Sequence, residues 1–403
     1  MNRKQLTILL VLAAVLGGAG LMIRQRGQND WLSSGKNIGQ KLLGEFPIND
    51  VARIIIRTGS NELSLVRKDG TWRVHERGDY PANFQQISEF LIKAQELKVT
   101  QSETVGKSQL PRLALAVGEG TNQPTTVDFK DQAGKSIRSL VLGKKHMKKS
   151  AQASPMGEMG EDGWPDGRWV KTGDSDTVAV VSEAFVNIEP KPDQWLNKDF
   201  IHVDKIRSIA VSGPATTNAW KLTRQTEAGE WKLADPKPGE QLDNTKTSGL
   251  ASSLASPSFN DIVVDAKPEL LGLDKPSVIT IETFDNFTYT LKTGAKTNDT
   301  YAVTLTVSAQ LAKERTPGKD EKAEDKARLD KEFKEGLKKL QDKLAQEKTF
   351  ETSTYLVNAW TFESILKDRS ALLVEKKDEA KKDEKTPPGE IPITPPGVTL
   401  PPK

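Results

Sequence analysis

The chain has no cysteine. That one absence removes disulfides, thiol nucleophiles, thiolate metal sites and a lipid-modified N-terminal cysteine. Histidine is nearly missing as well. His75, His146 and His202 each stand alone, so no pair has the spacing that metal binding or metalloprotease chemistry needs. No Gly-x-Ser-x-Gly elbow, phosphate-binding loop or dinucleotide fingerprint occurs. Carboxylate pairs such as Asp174 and Asp176 are ordinary turn residues. With no motif for a positioned acid, base or nucleophile, the sequence points to a non-enzymatic protein without a cofactor.

An excess of one charge is also lacking. Fifty-eight Lys and Arg stand against 55 Asp and Glu, a net +3 that is interspersed along the chain. No basic stripe interleaved with aromatics is present, which argues against a nucleic-acid partner. Hydrophobic residues make up 36% and charged residues 28%, a polar balance that implies segments outside any packed core.

What is present begins with an apolar leader. Arg3 and Lys4 precede an uncharged run whose apolar part is residues 6–23. As a helix this run reaches about 27 Å, enough for a thin bilayer core. An uncleaved anchor over 1–26 is the favoured reading; Gly18-Ala19-Gly20 is only a loose match to a cleavage site. The remaining chain is hydrophilic and no second span follows. The expectation is a single-pass protein of the bacterial inner membrane, with its bulk on the extracytoplasmic side and the bilayer as a partner through 6–23. Residues 27–45 read as a linker.

Two β-rich modules follow, at 46–203 and 204–374. The clearest stretch is Leu270 to Gly294, where Ile279 and Ile281 alternate with Thr280 and Glu282. Asp285-Asn286 turns the chain, and Phe287, Tyr289 and Leu291 repeat the pattern on the return. In the first module Ile54 and Ile56, then Leu63 and Leu65, form strands, and Asp69-Gly70 turns into Thr71-Trp72-Arg73-Val74. Asn83 caps a helix carrying Phe84, Ile87, Leu91 and Ala94. Strands at 126–129 and 137–142 precede a loop from Gly143 to Gly167. The second module repeats this order, and Leu242-Asp243-Asn244 opens its helix. Trp72 and Trp231 lie 159 residues apart, Gly143 and Gly294 lie 151 apart, and such matched offsets argue for duplication. The fold class expected is α+β: two tandem modules, each an antiparallel or mixed sheet with one packed helix, after the membrane segment.

Other stretches carry sharper but narrower readings. Residues 311–348 hold 12 Lys or Arg and 10 Asp or Glu. Leu329, Phe333, Leu337, Leu340 and Leu344 form a helical seam there, open to pairing with a partner helix as a coiled coil. Supportive pairs are expected at Glu324–Arg328 and Glu335–Lys339. His146, Met147, Met156 and Met159 fall within 14 residues, a soft donor set that suits Cu(I); incidental methionines in a flexible loop are the plainer reading. Lys144, Lys145, Lys148 and Lys149 could meet anionic head groups at about 1 kcal/mol each, or simply solvate a hairpin tip. From 375 the chain is charged and then proline-rich, with seven Pro in its last 17 residues, which reads as a disordered tail.

The order of these elements resembles a known family. The Ile-x-Ile strand, the Leu-x-Leu to Gly-x-Trp hairpin, Gly272-Leu-Asp-Lys-Pro276, Leu291-Lys-Thr-Gly294 and the closing Phe362-Glu-Ser-Ile-Leu-Lys-Asp-Arg-Ser-Ala-Leu-Leu373 carry the likeness. They resemble the bacterial domain-of-unknown-function family numbered 4340, over roughly Phe46 to Glu375. The first copy departs, with Leu113-Ala114-Leu115 where Gly-Leu-Asp-Lys-Pro would fall. The resemblance implies a membrane segment, repeated domains and genes beside ABC transporters of the gliding-motility type, hence an accessory or scaffold role in such an envelope complex. It brings no catalytic residues. The other reading is a ligand-binding module using the cleft between the two modules; a hydrolase stands third.

Overall fold

Period-two alternation does most of the building. A computed structural model describes residues 38–118, 122–148, 164–173, 177–214, 219–318 and 321–375. The anchor expected at 1–26, most of the linker and the tail after Glu375 lie outside these residues. Among the described residues no helix is long and apolar enough to cross a membrane.

The first sheet comprises β1 (Arg53–Thr58), β2 (Asn61–Lys68), β3 (Thr71–Val74), β4 (Tyr80–Pro81), β5 (Val99–Thr104), β6 (Thr125–Lys130), β7 (Ser136–Lys148), β8 (Trp164–Lys171) and β9 (Thr177–Val181). Between β4 and β5 runs the helix α1 (Phe84–Gln95). Asp69 and Gly70 both take positive φ (50° and 78°), the geometry of a tight hairpin between β2 and β3. The Asn83 side chain accepts from the Gln86 N–H at 3.1 Å, capping α1 as its sequence predicts. One helix position differs. Phe84 is exposed, and the buried face is Ile87, Phe90, Leu91 and Ala94. Phe84 sits at the first helical residue, beyond the reach of the sheet that Phe90 meets through Phe129 (ring centroids 5.6 Å).

The second sheet comprises β10 (Ile206–Ser212), β11 (Trp220–Thr223), β12 (Lys232–Leu233), β13 (Phe259–Val263), β14 (Ser277–Thr283), β15 (Phe287–Thr297), β16 (Thr300–Ala309) and β17 (Thr354–Asn358). In the β14–β15 hairpin, Ile279, Ile281, Phe287, Tyr289 and Leu291 are all buried, and Asn286 turns the chain at φ 61°. The expected helix forms in two short pieces, α2 (Asn244–Thr247) and α3 (Leu250–Ala255), because Ser248-Gly249 interrupts it. Leu250 and Leu254 still reach the core. The charged excursion becomes the 26-residue helix α4 (Ala323–Lys348), about 39 Å long, and α5 (Ala359–Glu363) follows β17.

The strand orders are β4-β3-β2-β1-β6-β7-β8-β9-β5 and β12-β11-β10-β14-β15-β16-β17-β13. Set aside β4 and the two match position by position. Every pairing within the two sheets is antiparallel. The two sheets, with a few helices, make an α+β fold. Closure of each module also repeats: Asn83 N–H donates to Trp195 O in one, and Asp243 N–H to Leu372 O in the other (2.8 and 2.9 Å).

The glycine landmarks have a packing reason. A Cβ on Gly294 would lie 1.9 Å from Leu271 O, and one on Gly143 would lie 2.4 Å from Leu113 O. In both modules a 3-10 turn (Lys107–Leu113, Pro268–Leu271) lays its last carbonyl against the long hairpin, and only glycine leaves room. Each turn ends on a left-handed residue, Ala114 (φ 52°) and Gly272 (φ 68°). So the Leu113-Ala114-Leu115 departure keeps the conformation while changing the residue.

The expected loop from Gly143 to Gly167 is a correction. Strand β7 continues through Lys148, and the chain re-enters as β8 at Trp164. The Arg168 Nε donates to Gly143 O at 2.8 Å and helps hold this extension.

Candidate functional site

Where the modules meet, aromatic rings fill the joint. Tyr80 of the first packs edge-on against Phe259 (centroids 6.0 Å) and Tyr355 (6.3 Å) of the second. Phe200, from the connecting segment, packs on Phe259, Phe350 and Tyr355. Burial pushes the Tyr355 phenol well above its ordinary range. Beside the rings, Arg77 Nε and Nη2 donate to the two Asp261 carboxylate oxygens at 2.6 and 2.7 Å. This fork-on-fork pair fixes angle as well as distance. The Asp261 hydrogen bonds, followed by its charge, raise the Arg77 pKa against an opposing desolvation. Lys198 lies over the Phe259 ring at 4.8 Å and donates to Asn260 O. The buried residues of both modules form one continuous cluster through this joint.

Helix α4 is anchored at its C-terminal half. Leu340 and Leu344 pack on the core, and the Glu347 side chain is buried. Glu347 accepts from the Tyr289 hydroxyl at 2.7 Å and from the His202 N–H at 3.0 Å. Lys343 meets Asp204 at 3.1 Å. Farther out, Arg315 donates to Asp330 (2.8 Å) and to Glu321, tying the incoming chain to the first turns. Leu329, Phe333 and Leu337 are half-buried. The expected Glu324–Arg328 and Glu335–Lys339 pairs do not form. Arg328 pairs with Asp325 and Glu332 (3.0 and 2.8 Å), and Lys331 lies 3.9 Å from Glu335. Arg328 thus reaches carboxylates on both sides of it along the helix, which leaves Glu324 unpartnered in this respect.

The three histidines are kept apart, each beside its own carboxylate. His75 Nδ1 is 3.1 Å from Asp79, His146 Nδ1 is 2.6 Å from Asp166, and His202 Nε2 is 2.9 Å from Asp204. Among the described residues no group of three or more His, Asp or Glu could hold a metal. Of the copper candidates, His146 and Met147 lie near the end of β7, at a bulge opposite Gly167 and Pro165. Met156 and Met159 lie outside the described residues. Lys144 and Lys145 are exposed on β7 and Lys148 ends it; Lys149 lies outside.

One depression was not anticipated. It lies on the first module, about 950 Å³ in volume, between the Gln86, Glu89, Phe90 and Lys93 face of α1, the hairpin end at Trp164, Pro165 and Asp166, and the loop from Ser182 to Ile188. Phe90, Phe185 and Ile188 give it a buried apolar floor, while Trp164 stands 70% exposed at its rim. Arg168 supports the floor, its Nη1 donating to Phe185 O at 2.9 Å; desolvation pulls this guanidinium below its usual pKa. The signal in the sequence was Trp164-Pro165-Asp166-Gly167, an aromatic set in turn residues.

Comparison with known proteins adds one match. Residues 159–276 fit the family model described as "Domain of unknown function (DUF4340)", and the family resemblance holds over that stretch. The match straddles the joint, taking in Phe200, Phe259 and Asp261, and stops at Pro276 just before β14. No curated protein and no solved structure matches the chain.

Proposed function

We propose that this protein is a membrane-anchored, extracytoplasmic scaffold that works without catalysis as an accessory of an ABC-transporter-type envelope complex. One observation carries the reading: the two duplicated modules are joined by a packed aromatic cluster and the forked Arg77–Asp261 pair. A scaffold needs parts held at fixed relative positions. A protein that closes on a ligand between its modules needs an opening there, and this joint is filled. Helix α4, set on a firm foot at Glu347, supplies reach for a partner's helix along Leu329, Phe333 and Leu337.

The apolar run at 6–23 and the family resemblance support the anchor and the transporter context. The test is in cells. After membrane fractionation and crosslinking, the chain should remain in the membrane fraction with residues 1–26 intact and be captured with transporter subunits. Recovery as a soluble, shortened chain would refute the anchor, and crosslinks to no transporter component would refute the accessory role.

A further inference from the structure

We propose that the first-module depression binds a short, uncharged oligosaccharide. The floor and rim supply its two kinds of contact. A pyranose ring has an apolar C–H face and an equatorial belt of hydroxyls. Trp164 offers a flat aromatic surface that solvent now covers, and Phe90 and Phe185 continue the apolar surface inward. Around it, the Gln86, Asn187 and Gln194 amides both donate and accept, and Glu89 and Asp166 accept. That mixture suits hydroxyls, which need both.

Charge decides against other ligands. The rim holds Glu89, Asp166 and Glu183 against Lys93, with Arg168 beneath the floor, a balance that stays negative and disfavours an anion. A cation is not called for either, because each carboxylate already has a companion. Asp166 meets His146 at 2.6 Å, Glu183 lies 3.9 Å from Lys93, and Glu89 accepts from Gln85 at 3.0 Å. These contacts orient the carboxylates and leave lone pairs free for hydroxyl donors. The backbone gives an independent sign of a built site. Phe185 sits at φ 45°, a conformation that costs a bulky residue and persists only where its surroundings impose it. Arg168 imposes it by bonding both Phe185 O and Gly143 O. The volume of about 950 Å³ is within the range of sites that hold ligands of a few rings. In the second module the corresponding helix is broken at Gly249.

The test is calorimetric titration of the full chain, kept in a sugar-free detergent, with triacetylchitotriose, cellotriose, maltotriose and trilysine. At least one trisaccharide should bind saturably, and Trp164→Ala should weaken it by about tenfold or more while leaving Tm unchanged. Glu89→Ala, an exposed helix substitution, is the second variant and should weaken it to a smaller degree. Saturable binding of none of the trisaccharides, tighter binding of trilysine, or parental affinity in both variants would overturn the proposal. Membrane recovery and transporter crosslinks are read separately, so this failure is distinguishable from failure of the scaffold reading.

Discussion

The two modules share a strand order but put their extra chain in different gaps. The first extends the β7–β8 hairpin and keeps a capped 12-residue helix over its sheet. The second splits that helix into pieces of four and six residues and places α4 between β16 and β17. In the first, hairpin and helix border an open depression; in the second, the insertion forms the long helix α4. A shared sheet therefore fixes where strands lie without fixing what the connections do. What the modules hold in common is the joint and the glycine-seated turn, and these are where substitutions should cost most.

The largest effect is expected at the joint. Phe259→Ala removes a buried ring that touches Tyr80, Phe200 and Tyr355, and should cost about 3–5 kcal/mol in denaturant unfolding. If the modules were independent, the loss would appear in a separate second-module transition and leave the first untouched. Next come the paired glycines. Gly294→Ala meets Leu271 O and Gly143→Ala meets Leu113 O, each costing about 1–3 kcal/mol, with the tighter Gly294 site worse. Equal, negligible costs would end the claim that the two turns are equivalent.

A smaller effect belongs to the second module alone. Arg369 bonds Glu240 and holds its carboxyl down at about 2, from 4.5. A carboxylate depressed on folding stabilises above its unfolded value and loses that contribution as pH falls through its folded one. Tm of the parent should therefore fall between pH 4.5 and about 2 more steeply than Tm of Glu240→Gln. Parallel acid limbs would contradict it. The smallest effect sharpens the turn comparison. At Ala114, glycine relieves about 1 kcal/mol of left-handed cost but adds about as much unfolded-chain freedom, so Ala114→Gly should stay within about 0.5 kcal/mol of the parent. Gly272→Ala should lose more, because its Cβ would also meet Ala295 N at 2.6 Å.

Much of this was readable in the residues, for identifiable reasons. The Ser277–Thr297 hairpin announces itself because one face is buried throughout, so alternation is strict. The Asn83 cap and the Asp69-Gly70 turn are local chemistry. The edge strands β5 and β13 were not readable. Val99-Thr-Gln-Ser-Glu-Thr104 is polar, and only pairing with β9 makes it a strand. The lysine-rich end of β7 hides its strand character for the same reason. The pocket depends on Phe185 being held left-handed by Arg168, 17 residues away in sequence, and no local pattern encodes that.

The proposed scaffold requires the modules to keep one relative orientation. Because the chain has no cysteine, Gln85→Cys and Lys232→Cys can carry a single pair of spin labels, one exposed site on each module. The distance between them, measured by pulsed electron paramagnetic resonance, should form one narrow distribution, and Asp261→Ala should broaden it. A broad or two-peaked distribution in the parent would show a hinge where a scaffold requires a fixed joint.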